Sequence, residues 1–454
     1  MPTTTHIDDR RMGMPTCMLV TVGCAKNEVD TDRMRALLLK SGFEETTEPD
    51  HADVIIVNTC SFLGVATQES VETVLSLAQV STDDEDGRPR IIMCGCVPSR
   101  YGDELAPELP EVDAFVPSDQ EDGIVSIARE VLGLEASPTP YGSSVLRTVE
   151  GASAYVKISD GCDRWCTFCA IPAIRGPYAS RPAAEIADEV RLLMKGGVRE
   201  IVLVGQDTGV WGSDLPGEHD LAWLLEELAE VVSPYGGWIR VLYLQPEGMT
   251  DRLVRVLRDV EPVLPYIDIP VQHCAAHVLR DMGRSGSRAE LESLFARLRE
   301  EIPGLVLRTT GLVGFPGETE DDFEELCEFI EEVGFDYVSV FAYSAEDGTV
   351  AATLPKQLDE AELTDRTQRL QDIAERLGFA STARRIGNEY DVIIDGVEEA
   401  EGGLELIGHT WFQAPDCDGA VHIEAGEAAV GDVVTCKMVD AFCYELVGVV
   451  TAQQ

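Results

Sequence analysis

Short apolar runs alternate with amphipathic stretches along most of the chain, and this rhythm predicts β-strands that are each followed by an α-helix. The strand candidates in the first third are CMLVTVG (17–23), DVIIVNTC (53–60), RIIMCG (90–95) and DAFVP (113–117). Helical periodicity separates them, as in VDTDRMRALLLKSG (29–42). Because strands and helices alternate, we expect a parallel sheet with right-handed crossovers, whose chemistry collects at the carboxyl edge of the strands.

The middle of the chain repeats this rhythm about six times. Its strand candidates are AYVKIS (154–159), EIVLVG (200–205), IRVLYL (239–244), PYIDIP (265–270), LVLRTTGLV (305–313) and FDYVSVF (335–341). Six units are fewer than the eight of a closed barrel, so the pattern predicts an open, TIM-like partial (β/α)6 barrel. A charged helical stretch over 358–387 follows it.

The pattern changes again over 386–454, where short apolar stretches alternate with Gly and Asp turns. This predicts a small all-β barrel of about five strands. We therefore expect an α/β protein with four parts, which are an N-terminal parallel α/β sheet domain (15–133), a linker rich in Pro, Gly and Ser (134–152), the partial barrel with its helical tether (153–385) and an OB-like all-β barrel (386–454).

Composition narrows the setting. The chain has 454 residues, of which 44% are hydrophobic, and contains no run of about eighteen apolar residues that could span a membrane. Its first residues lack the apolar core of a secretory signal. Thirteen cysteines in such a chain indicate a reducing cytoplasm, with metal-binding or catalytic thiols in place of disulfides.

The charge restricts the partners. The chain has 35 Lys and Arg against 82 Asp and Glu, a net charge of −47. Such a surface repels phosphates, which argues against nucleic acid binding and favours a basic partner. An alternative is that the acids serve only solubility. Residues 386–454 alone contain one Lys, no Arg and fourteen Asp or Glu, a net charge of −13.

The stretch GCDRWCTFCAIP (161–172) contains three cysteines at spacing C-x3-C-x2-C. Thiolates are ligands for zinc and for iron–sulfur clusters. A structural zinc site normally has four ligands, and the next cysteine is distant, at Cys274. A cubane 4Fe–4S cluster has four iron corners. Cys162, Cys166 and Cys169 could hold three of them and leave the fourth iron open to a small molecule.

This stretch resembles the signature of the radical S-adenosylmethionine (SAM) superfamily, including Phe168 before the last cysteine. The resemblance implies that the open iron chelates SAM, which one electron then cleaves to a 5′-deoxyadenosyl radical that abstracts a hydrogen atom. In VGQDTG (204–209), Gln206 and Asp207 are candidates to bind the amino group of the methionine part of SAM. In TTGLVGFPGETE (309–320), Gly314 and Gly317 would let the backbone approach the adenine, although this stretch alone could be an ordinary strand–helix turn.

Three more cysteines each follow a predicted strand of the N-terminal domain, namely Cys24, Cys60 and Cys96. They could be separate buried cysteines that act as small hydrophobic residues. Their shared position at strand ends favours a second three-thiolate cluster. Cys94 could compete as a ligand, because on an extended strand it shares a face with Cys96.

The motifs GCAKNEVD, NTCSF and GCDRWCTFCAIPAIRGPYASRP resemble those of methylthiotransferases over nearly the whole chain. The resemblance implies two 4Fe–4S clusters, one of which is an auxiliary cluster that carries sulfur. It also implies SAM as both methyl donor and radical source, a low-potential electron donor, and a C-terminal barrel of the TRAM type. The Gly-Cys pair after the strand matches the family at Cys96, which is why we select it over Cys94.

That family has two branches, one acting on adenosine in transfer RNA and one on an aspartate β-carbon of ribosomal protein uS12. The stretches AIPAIRGPYASRP, LVGQDTGVWG and LPYIDIPVQHCAAHVL resemble the second branch. The acidic C-terminal segment also argues for a basic protein substrate. The alternatives are the transfer-RNA enzyme and a non-catalytic iron–sulfur protein, although an electron carrier would normally use four cysteines per cluster. We expect five acids to be solvated and to attract the substrate: Glu398, Glu399, Glu401, Asp416 and Asp418.

Overall fold

The structure is a computed structural model that describes residues 14–81, 88–135, 147–148, 151–217, 219–400, 403–423 and 428–453. Most of the predicted linker, and Glu401, lie outside the described residues. The chain forms two compact units, of which the first runs to Thr148 and includes Ala173–Arg175, and the second comprises Val149–Pro172 and Gly176–Gln454. No helix in the described part of the chain is long and apolar enough to cross a membrane.

The first unit is built on a five-stranded parallel sheet, as the sequence predicts. In chain order its strands are β1 (Thr16–Thr21), β2 (Glu44–Glu45), β3 (Val54–Thr59), β4 (Arg90–Gly95) and β5 (Ala114–Pro117). Their order across the sheet is β2-β1-β3-β4-β5. The short edge strand β2 was not predicted. Every residue of the central strand β3 is buried, which is why its first four residues, VIIV, are all apolar and do not alternate with polar ones.

Helices cover both faces of this sheet. They are α1 (Ala25–Lys40), α2 (Gly64–Leu77), α3 (Cys96–Tyr101) and α4 (Ile124–Val131). Leu38 of α1 and Ile124 of α4 pack with Val54 on one face, while Val74 of α2 and Val97 of α3 belong to a second core on the other face. The sheet is therefore rigid from both sides, and its carboxyl edge is a fixed platform.

The second unit contains the predicted partial barrel. Its six main strands are β6 (Ser153–Lys157), β9 (Glu200–Val204), β10 (Trp238–Val241), β11 (Tyr266–Asp268), β12 (Val306–Val313) and β13 (Tyr337–Ala342). They form two parallel three-stranded sheets, β10-β9-β6 and β11-β12-β13. A short hairpin that was not predicted, β7 (Ser159–Asp160) with β8 (Ala179–Ser180), flanks the C-x3-C-x2-C segment.

Helices and a large apolar core surround these strands. The short helix α5 (Ile171–Arg175) comes first, and its last three residues belong to the first unit. The helices of the second unit that follow are α6 (Ala183–Gly196), α7 (Leu221–Val232), α8 (Asp251–Asp259), α9 (Ala276–Asp281), α10 (Arg288–Glu301) and α11 (Glu320–Val333). Thr319 caps α11 with a reciprocal hydrogen bond to Asp322, which fixes where the helix begins.

The predicted tether is a single helix, α12 (Glu360–Ala383), that runs the height of the partial barrel. Near its start, Arg366 forms an ion pair with Glu318, just beyond the carboxyl end of β12, at 2.7 Å. At its far end, Arg384 pairs at 2.8 Å with Asp336, which directly precedes β13. The helix therefore leads the chain from the carboxyl ends of the strands back to their amino ends.

The last segment is a closed five-stranded barrel, as predicted. Its strands are β14 (Glu389–Ala400), β15 (Gly403–Thr410), β16 (Val421–Ile423), β17 (Val433–Ala441) and β18 (Leu446–Gln453), in the order β14-β15-β16-β18-β17. We call β14–β18 the C-terminal barrel.

The C-terminal barrel packs against the amino ends of the partial-barrel strands. The Tyr155 hydroxyl on β6 donates to the Pro415 carbonyl at 2.9 Å. Glu200, the first residue of β9, contacts His409 at 3.0 Å. Tyr266, the first residue of β11, donates to Asp418. The contacts of Glu200 and Tyr266 lie at the strand ends opposite to those that lead into the cysteine segment.

The prediction that Asp418 is solvated is wrong. Its carboxylate is buried and forms an ion pair with Arg308 at 3.1 Å, because the barrel docks there. Glu398, Glu399 and Asp416 are exposed as expected, although the two glutamates lie on β14 and not in a turn.

Candidate functional site

Three cysteines leave the N-terminal sheet at its carboxyl edge. Cys24 follows β1 and precedes α1, Cys60 follows β3, and Cys96 begins α3 directly after β4. Because β1, β3 and β4 are neighbours in a parallel sheet, the three residues emerge side by side. We call Cys24, Cys60 and Cys96 the N-terminal cysteine site.

Two glycines allow the chains to approach closely there. Gly23 has φ +126°, and a Cβ on it would lie 2.7 Å from the Cβ of Cys60. Gly95 has φ +90°, and a Cβ on it would lie 2.3 Å from the Asn58 side-chain oxygen. A larger residue at either position would push the cysteines apart.

Cys60 and Cys96 are buried, and Cys24 is half-buried. The pKa of Cys60 is raised to about 11, mainly by burial and to a smaller extent by the neighbouring Cys96 and Cys24. Burial also raises the pKa of Cys96, while the Arg175 guanidinium, which hydrogen-bonds its sulfur, opposes the rise. Arg175 also pairs with Asp30 at 2.8 Å. A metal must therefore displace protons from these thiols, and Arg175 offsets part of the resulting negative charge.

A buried polar network holds the strand ends in place. The Asn27 amide donates to the Asn58 side-chain oxygen at 3.1 Å and to the Thr59 carbonyl at 2.9 Å. The Cys60 backbone N–H donates to the Ser70 hydroxyl at 3.1 Å. The sequence reasoning assigned no role to these residues or to Arg175, since only the fold brings them to the cysteines.

Cys94 lies apart from the N-terminal cysteine site. It is fully buried in the core formed with α1 and α4, together with Cys17. The positive φ of Gly95 turns the chain between Cys94 and Cys96, so the two residues do not share a face as they would on a continuous strand.

The other candidate site is the central cysteine loop, residues 161–170, in the second unit. Cys162, Cys166 and Cys169 are all half-buried. The Cys169 N–H donates to the Cys166 carbonyl at 3.0 Å, and the Cys162 N–H donates to the Gly176 carbonyl at 3.2 Å. Gly161, at φ +73°, is required because a Cβ there would lie 2.1 Å from the Pro177 carbonyl oxygen.

Two thiols of the loop have raised pKa values. Burial raises the pKa of Cys169 to about 12, and the charges of Cys166 and Cys162 add to the rise. Burial likewise raises the pKa of Cys162. Phe168 packs against the apolar cluster that contains Phe315 and Tyr343, so it anchors the loop to the barrel.

Buried polar atoms without partners lie beside this loop. Asp207 is 2% exposed, and its Oδ2 is bound by Arg164 of the loop, while its Oδ1 has no hydrogen-bond partner. Burial raises the pKa of Asp207, and Arg164 opposes the rise. The Gln206 amide donates to Asp160 at 3.1 Å, and its Oε1 has no partner. Such atoms are suited to a polar ligand that carries its own donors.

Arg284 also faces this region and was missed in the sequence. Its Nη2 donates to Gln245 at 2.6 Å, its Nε has no partner, and its charge opposes the rise in the pKa of Cys169. Nothing in the local sequence distinguishes it, because it reaches the loop only through the fold.

The two glycines of TTGLVGFPGETE differ in their surroundings. Gly314, at φ +80°, would place a Cβ 2.2 Å from Leu363 of α12, and its N–H donates to Glu318 at 2.9 Å. Packing against the helix therefore already explains this glycine. Gly317, at φ +92°, has open space on its Cβ side, so its role toward a ligand stays a prediction.

Each site offers three thiols, the ligands that iron–sulfur clusters use. Among the described residues, no group of three or more His, Cys, Asp or Glu side chains could hold a single metal ion. The chemistry of the donor set at each site fits a 4Fe–4S cluster, and the unpartnered polar atoms beside the central loop fit a polar ligand next to it.

Comparison with known proteins agrees with this organisation. The Radical SAM superfamily model matches residues 156–330, the model of the uncharacterized protein family UPF0004 matches 16–117, and the TRAM domain model matches 386–451. The ribosomal protein uS12 methylthiotransferase RimO of Geobacter sulfurreducens is 42% identical over 440 residues, which cover 95% of this chain and 97% of that protein. The RimO protein of Alkaliphilus oremlandii is 38% identical over 434 residues, 94% of this chain and 97% of that one.

A solved structure shares the fold. The radical SAM methyltransferase TsrM of Kitasatospora setae, with cobalamin and a [4Fe-4S] cluster bound, superposes with a TM-score of 0.53 and covers 72% of each chain. Its sequence identity is 16%, so the likeness concerns the fold alone.

Proposed function

Because the chain belongs to the RimO family of radical SAM methylthiotransferases, we propose that it inserts sulfur and a methyl group at the β-carbon of an aspartate of ribosomal protein uS12. The observation that carries the choice of substrate is the charge of residues 386–454, which is −13. A transfer-RNA enzyme needs cations to neutralise phosphates, whereas this surface attracts a basic protein.

We also propose that the two cysteine sites each hold one 4Fe–4S cluster and that SAM binds at the central one. Family membership implies SAM and a 4Fe–4S cluster, and the second group of three thiols supports the second cluster. When bound, the central cluster would supply the electron for reductive cleavage of SAM, which gives the 5′-deoxyadenosyl radical. The auxiliary cluster, at Cys24, Cys60 and Cys96, would carry the sulfur.

The protein's own side chains would bind and orient the ligand at the central loop. Oδ1 of Asp207 and Oε1 of Gln206 are acceptors for the donors of an ammonium group. Arg164 holds the Asp207 carboxylate from the loop itself, so the ligand-binding residue and the cysteines are positioned together. Phe168 fixes the same loop by packing.

The test is modification of uS12 by the reconstituted enzyme. The protein with full iron and sulfide is incubated with uS12, SAM, sulfide and a low-potential reductant, and uS12 is analysed by mass spectrometry. We expect a methylthio group on one aspartate, and none with Cys96→Ala. Transfer RNA is offered in a parallel reaction, and its methylthiolation with unmodified uS12 would contradict the proposal.

A further inference from the structure

One tryptophan stands exposed on the central cysteine loop. The side chain of Trp165, between Cys162 and Cys166, is 69% exposed. The other four tryptophans are buried or half-buried, namely Trp211, Trp223, Trp238 and Trp411. Exposing so large an apolar surface is unfavourable in water, and an exposed tryptophan in a fixed position is typical of a binding anchor.

The backbone holds Trp165 in a conformation that bulky residues avoid. Its φ is +53°, which costs on the order of 1–2 kcal/mol for a residue with a Cβ. The loop is fixed just beyond it, because the Thr167 N–H donates to the Met282 carbonyl at 3.0 Å and the Ala351 N–H donates to the Thr167 carbonyl at 2.8 Å. The indole is therefore presented by a rigid segment, and little backbone entropy is lost when a partner binds.

The surroundings of Trp165 are apolar and acidic. Val350, next to the residue that bonds the loop, is 59% exposed, which extends the apolar patch. The exposed acids on the neighbouring segments are Asp163, Glu247, Asp281 and Asp347, and the cations are Arg164, Arg280 and Arg284. All three cations are engaged, since Arg164 pairs with Asp207 and Glu247, Arg280 lies 3.5 Å from Asp281, and Arg284 donates to Gln245 and to the Pro270 carbonyl. The patch thus keeps a negative excess.

We propose that Trp165 and Val350 form a seat for the segment of the substrate protein that bears the modified residue. The inference rests on the proposed function and names where its substrate docks. A ribosomal protein is rich in Lys and Arg because it contacts RNA phosphates, and a cation binds favourably to the face of an indole. The acidic surroundings strengthen that preference. Because Trp165 adjoins Cys166 in the chain, a segment seated on it lies beside the thiols of the central loop.

The experiment compares Trp165→Ala and Trp165→Phe with the wild-type holoenzyme. Binding of fluorescently labelled uS12 is measured by anisotropy, and kcat and KM by mass spectrometry of the product. We expect Trp165→Ala to raise both Kd and KM about tenfold with a much smaller change in kcat, and Trp165→Phe to raise them less, because the benzyl ring keeps part of the face.

Phe379→Ala is the matched control. Phe379 is an exposed aromatic residue, 51% exposed, on the half of α12 that lies toward the amino ends of the strands. We expect its Kd for uS12 to equal that of the wild type. Iron and sulfide content is measured for every variant. If Trp165→Ala has lost its cluster, the comparison with the wild type is made with Trp165→Phe.

Two outcomes overturn the inference. In the first, the wild type modifies uS12, and Trp165→Ala with full iron and sulfide content binds uS12 as tightly as the wild type. If only Trp165→Phe retains its iron and sulfide, the same result with that variant counts. The proposed function would remain intact in this case. The other is a wild-type enzyme that modifies transfer RNA and not uS12, with Trp165→Ala weakening RNA binding. The indole would then stack on bases, and the proposed function itself would fail.

Discussion

At the scale of the residue, the proposed chemistry depends on six thiols in two separate groups. Each group lies at the carboxyl ends of strands in its own unit, and each contains three cysteines where a cubane has four corners. Three ligands would leave one iron free, and single substitutions test the two groups separately.

Changing Cys162, Cys166 or Cys169 to Ala is expected to abolish SAM cleavage, because the cluster loses one of only three ligands. The fold should persist, since the core of the partial barrel does not include these side chains. The check is 5′-deoxyadenosine formation by chromatography, with circular dichroism as the folding control. A variant that forms 5′-deoxyadenosine at the wild-type rate would refute the assignment.

Changing Cys24, Cys60 or Cys96 to Ala is expected to stop sulfur insertion while SAM cleavage continues. Cys94→Ala is the control for Cys96→Ala, because Cys94 packs in the core, and its loss should reduce stability and leave the iron content unchanged. The measurements are iron per chain, 5′-deoxyadenosine and methylthiolated product. If a folded Cys96→Ala loses both activities together, the clusters do not act separately.

The sequence predicted these cysteines because each follows a strand and the spacing is local. It did not reveal Asn27, Arg175 or Arg284, whose roles depend on segments that are distant in the chain. It placed Asp418 wrongly, since nothing near that residue shows that the C-terminal barrel docks on Arg308 and Tyr266. It also could not show that Trp165 adopts a positive φ.

At the scale of the element, a buried polar cluster fastens the C-terminal barrel to the strand ends. His409 lies between Glu200 and Asp395, at 3.0 and 2.6 Å, and Glu200 also pairs with the buried Arg240 at 2.6 Å. Burial opposes a charge on His409, but its hydrogen bonds with Asp395 and Glu200 outweigh burial and raise its pKa to about 9. The histidine is therefore protonated at neutral pH.

This cluster predicts a loss of stability in mild alkali. The folded pKa of His409 lies above its unfolded value, so its contribution is full below about pH 6.5 and disappears as pH rises through about 9. The loss should be on the order of 3 kcal/mol. Thermal unfolding of the wild type between pH 6.5 and 10 measures it.

His409→Gln should be less stable at pH 7 and should lose little more stability as the pH rises, because the group that titrates is gone. His422→Gln is the matched control, since His422 is partly exposed and its contacts with Glu405 and Glu445 are solvated. An identical alkaline decline in the wild type and in His409→Gln would contradict the assignment.

At the scale of the whole molecule, we expect the uneven charge to attract a basic substrate over a long range. Glu398, Glu399 and Asp416 are exposed on the C-terminal barrel. Their attraction for a basic protein is long-range and is screened over about 8 Å at physiological ionic strength. Exposed charges contribute little to stability, so they can be neutralised without unfolding the barrel.

Neutralising these three acids to Gln or Asn is expected to slow association with uS12 severalfold at low salt and to change dissociation little. Added salt should slow the wild type more than the variant. The control neutralises three exposed acids of the first unit, Glu104, Glu108 and Asp119, and stopped-flow fluorescence measures both rates. Equal association rates for the barrel variant and the wild type at low salt would refute the role of the barrel.

The C-terminal barrel docks at the amino ends of the strands, so it lies at the opposite end of the partial barrel from the central cysteine loop. A substrate that contacts both must cover the distance between them. Helix α12, with 24 residues, spans about 36 Å between the two ends of the partial barrel. A protein captured at one end raises the effective concentration of its own target segment at the other end only if the chain between them covers that distance. We therefore expect a short peptide containing only the target residue to gain nothing from the barrel, whereas a substrate protein that covers about 36 Å would benefit from both ends at once.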